Sequence, residues 1–465
     1  MLGVAVAHRP GLAAGALVLV LVTLLAFRAP ATHLTLLLFF TAIVPYSIEN
    51  RYSPGGAGSV GLLPSDVLLL TGLLRTAVVL PYMRLDRRRM TVVGLILLFI
   101  AISCFQAFQG IHAGRSLSDV GDEFRALGGG FATALIALAV LQDPAAHRRV
   151  LRGLLVLGIA LGAWGVGQWV LHVPFSAAED YGVRSGVSLT SGGRGQIQGG
   201  LFSFPVAVIL ASAALASGRL RGLDRRLVLL ALGLNVASLL LTFERTFWVA
   251  AAVGVLIVAL RSGRARRARA LMWITACAAT GLVVLSAVAP GTLKTAEQRL
   301  FSIGSYQVDN SVRYRTVESG FVLDKIRESP WIGTGLGDSI YWGQPWTQTK
   351  PTTQTYTHVG YLWLVWREGI IGAVVILALM AMAILWPGRA VGGGLISAMR
   401  VGAQSSLLAL LIVNLTFPAF QGTQITYVMG FLLAYAATPV LARARAPAPV
   451  PARTLGGLRP TPAAG

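Results

Sequence analysis

The sequence predicts an all-α fold: a polytopic membrane helix bundle of about 12–13 transmembrane helices, with one large outer loop containing short helices. Three observations carry this. Hydrophobic residues make up 55% of the 465 and charged residues only 12%, too apolar a mixture for an ordinary soluble domain. The apolar residues fall in long runs, near the ~20 residues needed to cross a bilayer. The net charge of +21 is concentrated in the short breaks between those runs, which is the positive-inside pattern.

The runs lie at 11–27, 32–47, 62–81, 91–109, 125–142, 150–171, 198–217, 227–243, 247–260, 270–290, 358–384, 401–418 and 424–441. The basic breaks hold Arg84, Arg87, Arg88 and Arg89, then Arg148 and Arg149, then Arg219 to Arg226, then Arg261 to Arg269. Placing them in the cytoplasm puts 48–61, 110–124, 172–197, 244–246, 291–357 and 419–423 outside. Residues 1–290 therefore read as transmembrane helices with short loops, and 291–357 as the extracytoplasmic loop. Residues 358–441 read as the C-terminal spans, and 442–465 as a disordered cytoplasmic tail of Ala, Pro and Arg. The run 32–47 is short for a span, so twelve crossings with an inward N-terminus and thirteen with an outward one both stand. The first run lacks a small-residue cleavage site and reads as a retained span.

Basic residues placed this way orient the chain and imply no nucleic acid. Cys104 and Cys277 fall inside apolar runs, and no Cys/His spacing suits a metal. No cofactor is expected: the Gly333, Gly335, Gly337 run has neither a preceding strand nor the lysine of a nucleotide loop.

One stretch, Val312 to Gly372, is too polar for lipid. It opens as an amphipathic helix, with Val317, Phe321 and Ile326 at helical spacing among charges. Ser329-Pro330 stops that helix. Trp331 to Gly337 then predicts a flexible turn in which backbone can approach a ligand closely. A Thr/Gln run leads to His358, where the next apolar helix opens.

Four arginines and this histidine are candidates for chemistry, each with a plain structural alternative. Arg245, in the break Thr242-Phe-Glu-Arg-Thr-Phe-Trp248, can bind an anion or simply snorkel to the interface beside Trp248. Arg313 and Arg315 can do the same or form the charged face of a helix. Arg194, in Ser191-Gly-Gly-Arg-Gly-Gln-Ile-Gln-Gly-Gly200, sits in a loop that offers backbone donors to an anion or serves as a linker. His358 can be a structural residue or a base. Together, two guanidiniums can grip a diphosphate by forked hydrogen bonds, and a histidine can take a proton from a sugar hydroxyl. The outer face holds no ATP, so synthesis there needs an activated donor, such as a lipid diphosphate-linked sugar.

In their order these residues resemble the O-antigen ligase and O-antigen polymerase family. The resemblance is carried by Arg245 in Thr-Phe-Glu-Arg-Thr-Phe-Trp, Arg313 in Ser-Val-Arg-Tyr-Arg, the Pro330 to Gly337 turn, and His358-Val-Gly-Tyr361-Leu followed by Glu368-Gly-Ile-Ile-Gly372. It implies a GT-C-like fold and a metal-independent, inverting glycosyltransferase in the cytoplasmic (inner) membrane, with its site on the extracytoplasmic face. The donor would be a glycan on undecaprenyl diphosphate, and the acceptor a hydroxyl of a saccharide or glycolipid. Arg245 and Arg313 would bind the diphosphate, with Arg315 and Arg194 as further donor-binding candidates. His358 would activate the acceptor, and Gly333, Gly335, Gly337, Tyr361 and Glu368 would support the site. Two positions depart from the family pattern: Val359 stands where Asn is common, and Glu244 where a small residue is common.

Other classes remain open. A lipid-linked sugar flippase would hold ionisable groups near the midplane in broken helices. A peptidoglycan-polymerase type of transferase would draw a carboxylate base from the outer loop, with Asp309, Asp324 or Asp338 available.

Overall fold

The computed structural model describes residues 10–44, 63–83, 85–170, 201–242, 244–262, 310–342, 352–385 and 394–437, with isolated positions between 267 and 279. Arg194 and its glycine-rich loop, Asp309, most of the run 270–290 and the C-terminal tail lie outside the described residues.

Among the described residues the chain is a bundle of helices with a single two-stranded sheet. In order these are α1 (Pro10–Arg28), α2 (Pro30–Ile43), α3 (Pro64–Val79), α4 (Arg87–His112), α5 (Leu117–Phe124), a π turn (Arg125–Gly129), α6 (Gly130–Val140), α7 (Pro144–Val170), α8 (Ser203–Ala216), α9 (Gly222–Leu241) and α10 (Arg245–Leu260). There follow α11 (Asn310–Glu328), β1 (Ile340–Trp342), β2 (Thr352–Gln354), α12 (Gly360–Leu385), α13 (Leu395–Val413) and α14 (Thr423–Ala437). Among the described residues six helical segments are long and apolar enough to cross a membrane, and several shorter apolar helices accompany them. Large apolar side chains such as Leu74, Leu97, Phe108, Leu256 and Val374 face outward, a surface suited to lipid and not to water. The protein is an all-α, multi-pass membrane protein.

Local signals start these helices. Proline opens α1, α2, α3 and α7, where its missing N–H would have lacked a partner anyway. Asp86 caps α4 by accepting from the Arg89 N–H at 2.9 Å, and Asp143 caps α7 through Ala145 at 2.9 Å. Helices α6 and α14 cross at glycines: a Cβ on Gly430 would lie 2.2 Å from the Gly130 carbonyl oxygen, so only glycine permits this approach.

The segment 110–124, expected as an outer loop, is instead mostly helical. Helix α5 runs through the π turn into α6, giving one apolar helix over Leu117–Val140. It forms because its charge is consumed inside: Glu123 is 5% exposed and pairs with Arg367. The amphipathic reading of α11 also shifts. Its buried residues are Glu318 and Val322, with Tyr314 half-buried beside them, while Phe321 is 42% exposed. The helix turns a carboxylate inward because that carboxylate has partners waiting.

The bundle has two chemically different ends. One is rich in arginine: Arg261 donates to Gln404 at 2.6 Å, and Arg267 donates to the carbonyls of Ala259 and Leu260 at the end of α10. At the other end, the start of α10, the end of α4, the start of α12 and the turn after α13 converge beneath α11 and the sheet.

Candidate functional site

The glycine turn is a structural plug. Helix α12 is broken at Gly369, where φ is 67° and ψ 178°. A break inside a membrane span strands backbone donors and acceptors that lipid cannot satisfy. The segment 330–335 satisfies them. Thr334 N–H donates to the Trp366 carbonyl at 2.9 Å and Gly335 N–H to that of Arg367 at 3.3 Å, while Ile370 N–H donates to Pro330 and Ile371 N–H to Trp331. The turn is also held to α4 through Leu336 N–H to the Gln106 carbonyl at 3.1 Å and through the Gln106 side chain to the Ile332 carbonyl. Gly333 and Gly369 have positive φ, and a Cβ on either would sit 2.3 Å from the other strand's carbonyl oxygen. The close approach read from Gly333, Gly335 and Gly337 is thus to the protein's own backbone.

A buried charge network locks this plug. Arg367, fully buried, pairs with Glu123 at 2.6 Å. The same Nη2 donates to the carbonyls of Asp338, at 2.8 Å, and Thr355, and the guanidinium stacks 3.8 Å over the Trp366 ring. The other Glu123 oxygen accepts from Gly337 N–H at 2.7 Å. Asp338 accepts from the Trp366 indole at 2.9 Å and pairs with Arg115 at 3.3 Å. Burial alone would push the Asp338 carboxyl up, but the indole bond, Arg115 and Arg367 together hold it below the ordinary aspartate range. Burial lowers the Arg115 guanidinium. Glu368 lies about 15 Å down α12 from His358 and accepts from Ser103 at 3.0 Å.

His358 stands where the plug's far strand returns to α12, its side chain 27% exposed. Glu318, from the buried face of α11, reaches it. The carboxylate lies 3.0 and 3.1 Å from His358 Nδ1. It also accepts from the His358 backbone N–H at 2.8 Å and from the Thr357 hydroxyl at 3.0 Å. An Nδ1–H donated to Glu318 leaves Nε2 as the acceptor on the partly exposed edge of the ring. Tyr314 and Tyr356 flank the imidazole edge-on, with ring centroids at 5.1 and 5.6 Å. Burial raises both phenols, so they stay protonated and form a neutral wall.

The turn between α13 and α14 gathers the rest. Gly360 N–H donates to the Asn414 carbonyl at 2.9 Å, fixing the start of α12, and Tyr361 donates to the Leu411 carbonyl at 2.7 Å. Thr246, next to Arg245, bonds Thr416 at 2.7 Å. Phe417 packs on Phe247 at 5.1 Å, and the Arg315 guanidinium lies 5.8 Å over the Phe417 ring. One turn therefore brings together the first turn of α10, Arg315 and the base of His358. Arg313, two residues before Arg315, is on the exposed side of α11. Of the carboxylates considered for an alternative base, Asp324 pairs with Arg327 at 2.6 Å on the exposed face, and Asp338 is committed to the plug.

Three participants escaped the sequence reading. Glu318 stands four residues after Tyr314, a spacing that shares a helix face, but no apolar signal marked that face. Arg367, a charge inside an apolar run, was a usable signal. The Asn414–Gln421 turn carried none beyond Phe417-Pro418. Among curated proteins none matches the chain. Residues 227–377 match the family model described as O-antigen ligase, a span that holds Arg245, α11, the plug and His358. Through that segment the chain is similar to the O-antigen ligase family.

Proposed function

We propose that this membrane enzyme transfers a glycan from an undecaprenyl diphosphate carrier to an acceptor hydroxyl of a saccharide or glycolipid. The reaction takes place at the extracytoplasmic face of the inner membrane, with inversion and without a metal. The observation that carries the reading is the Glu318–His358 pair, a buried carboxylate on Nδ1 of a partly exposed imidazole. In the reaction Nε2 takes the acceptor proton as the acceptor oxygen attacks the anomeric carbon. The bond from that carbon to the diphosphate breaks, and the lipid diphosphate leaves. Glu318 stabilises the imidazolium that forms and holds the ring in the productive tautomer, as the third member of a triad does.

Arg245 and Arg315 are proposed to hold the diphosphate and the charge that develops on it. What supports them is that Thr246, the neighbour of Arg245, and the Arg315 guanidinium both contact the Thr416–Phe417 turn. Arg313, expected to be the second phosphate ligand, takes an outer role from its exposed position. Arg194 is a further proposed phosphate ligand. The plug and Tyr361 hold the helix opening that carries His358.

The test is glycan transfer by purified protein with a lipid diphosphate-linked glycan. His358→Gln should retain folding and donor binding and lose about a hundredfold or more of the transfer rate. Near-normal transfer with Gln at 358 would end the mechanism.

A further inference from the structure

A second site lies at the arginine-rich end, away from the chemistry. Helices α7, α8 and α9 enclose a largely apolar cavity of ≈ 310 Å³, with α2, α13 and α14 behind it. The space exists because Ala207, Ala211 and Ala214 present small side chains on one face of α8. Its depth is set by α7. From Arg152 to Leu161 the lining spans about 14 Å at ~1.5 Å per residue, close to half of a ~30 Å hydrocarbon core.

The mouth is charged. Arg148 and Arg152 are one helical turn apart on α7, both exposed, and both line the opening. Asp224, in the first turn of α9, faces the same opening and is also exposed. Among the described residues no ion pair within 4.0 Å joins Asp224 to either arginine.

We propose that this groove binds one diacyl phospholipid of the arginine-side leaflet with a phosphate–amine headgroup, phosphoethanolamine in chemical class. The two guanidiniums bind the phosphate, and Asp224 binds the ammonium. The acyl chains occupy the apolar groove. The single-leaflet depth selects a diacyl lipid over a long polyprenyl chain entering from the opposite end. The carboxylate disfavours a headgroup bearing a second anion and offers a primary ammonium a hydrogen-bonding partner. A quaternary ammonium has no N–H to use there. This site is independent of the glycosyl-transfer reading.

The test is native mass spectrometry of the detergent-purified full chain. Phosphatidylethanolamine, phosphatidylglycerol and phosphatidylcholine of identical acyl chains are added back in separate arms. One phosphatidylethanolamine should be retained in preference to the other two. Arg148→Gln with Arg152→Gln should cut that retention by about tenfold or more, as the loss of charge-assisted hydrogen bonds implies. Asp224→Asn should abolish the preference for ethanolamine over glycerol headgroups while retention of some phospholipid persists. All three side chains are exposed, so these variants should fold, as a matched thermal transition will show. Ala211→Trp, which fills the groove, should remove retention of every headgroup. Equal retention of the three lipids by the unaltered chain would overturn the proposal. So would unchanged retention in the double arginine variant, or displacement of the lipid by a polyprenyl phosphate.

Discussion

The polar stretch between α11 and α12 divides into two regions with opposite fates. The glycine turn from Gly333 to Gly337 is buried, bonded backbone to backbone into the gap at Gly369, and locked by the Glu123–Arg367 pair. The segment ending at His358 is held at its base by Glu318 yet keeps a quarter of its side chain exposed. Both are polar chain at the edge of a membrane bundle. The first exists to satisfy a broken helix, which lipid would otherwise leave unpaired. The second spends its buried carboxylate on orienting one ring and leaves that ring's far edge available. Polarity alone does not separate structure from chemistry here; what remains unsatisfied at the surface does.

That contrast sets the expected order of effects. The largest belongs to the plug. Glu123→Ala leaves a buried guanidinium without its counter-ion, which should cost about 3–5 kcal/mol. Replacing both Glu123 and Arg367 with apolar residues of similar volume should cost less than either single change. Chemical or thermal unfolding in detergent checks both. If the double replacement were the worst of the three, the pair would be adding net stability instead of compensating its own burial.

Site variants should instead spare stability and remove rate. His358→Gln should leave the unfolding transition within about 0.5 kcal/mol of the unaltered chain, as for a partly exposed residue outside the core, while losing transfer as above. Among the arginines, Arg315→Ala and Arg245→Ala should each lower the maximal rate more than Arg313→Ala does. Lysine should restore only part of it, because a point charge cannot reproduce a forked contact. A larger loss at Arg313 than at Arg315 would place the exposed face of α11 in the donor site.

The smallest effect is acid sensitivity. The folded state holds Asp338 below its unfolded value, so its contribution to stability is fully present above the ordinary aspartate range, near ~4. It fades as the pH falls through the lowered folded value. Protection of Gly333 to Gly337 against hydrogen exchange, taken relative to the intrinsic rate at each pH, should therefore fall toward acid pH, and in Asp338→Asn the turn should be less protected even at neutral pH.

The sequence carried the bundle well because membrane spans announce themselves by length and apolarity, and arginine placement marked one end. It also singled out Arg245, Arg315 and His358 as candidates, since charges beside apolar runs stand out. It misjudged what depends on partners far along the chain. The glycines read as a ligand turn because nothing near them in sequence reveals the break at Gly369, about thirty residues on. Glu318 looked like one more solvated charge on α11; its role depends on His358, a loop and a sheet away. The segment 110–124 looked like a loop because Glu123 is acceptable inside the bundle only with Arg367 beside it.

The proposed chemistry has Glu318 acting through His358, and a double-mutant cycle on transfer rate tests that most directly. Glu318→Gln should slow transfer by about 10–100-fold, the range typical when a carboxylate that orients a histidine is removed. In the His358→Ala background the same change should slow it no further, because the ring it orients is gone. An equal loss from Glu318→Gln in both backgrounds would mean that Glu318 does not act through His358 and would contradict the pairing.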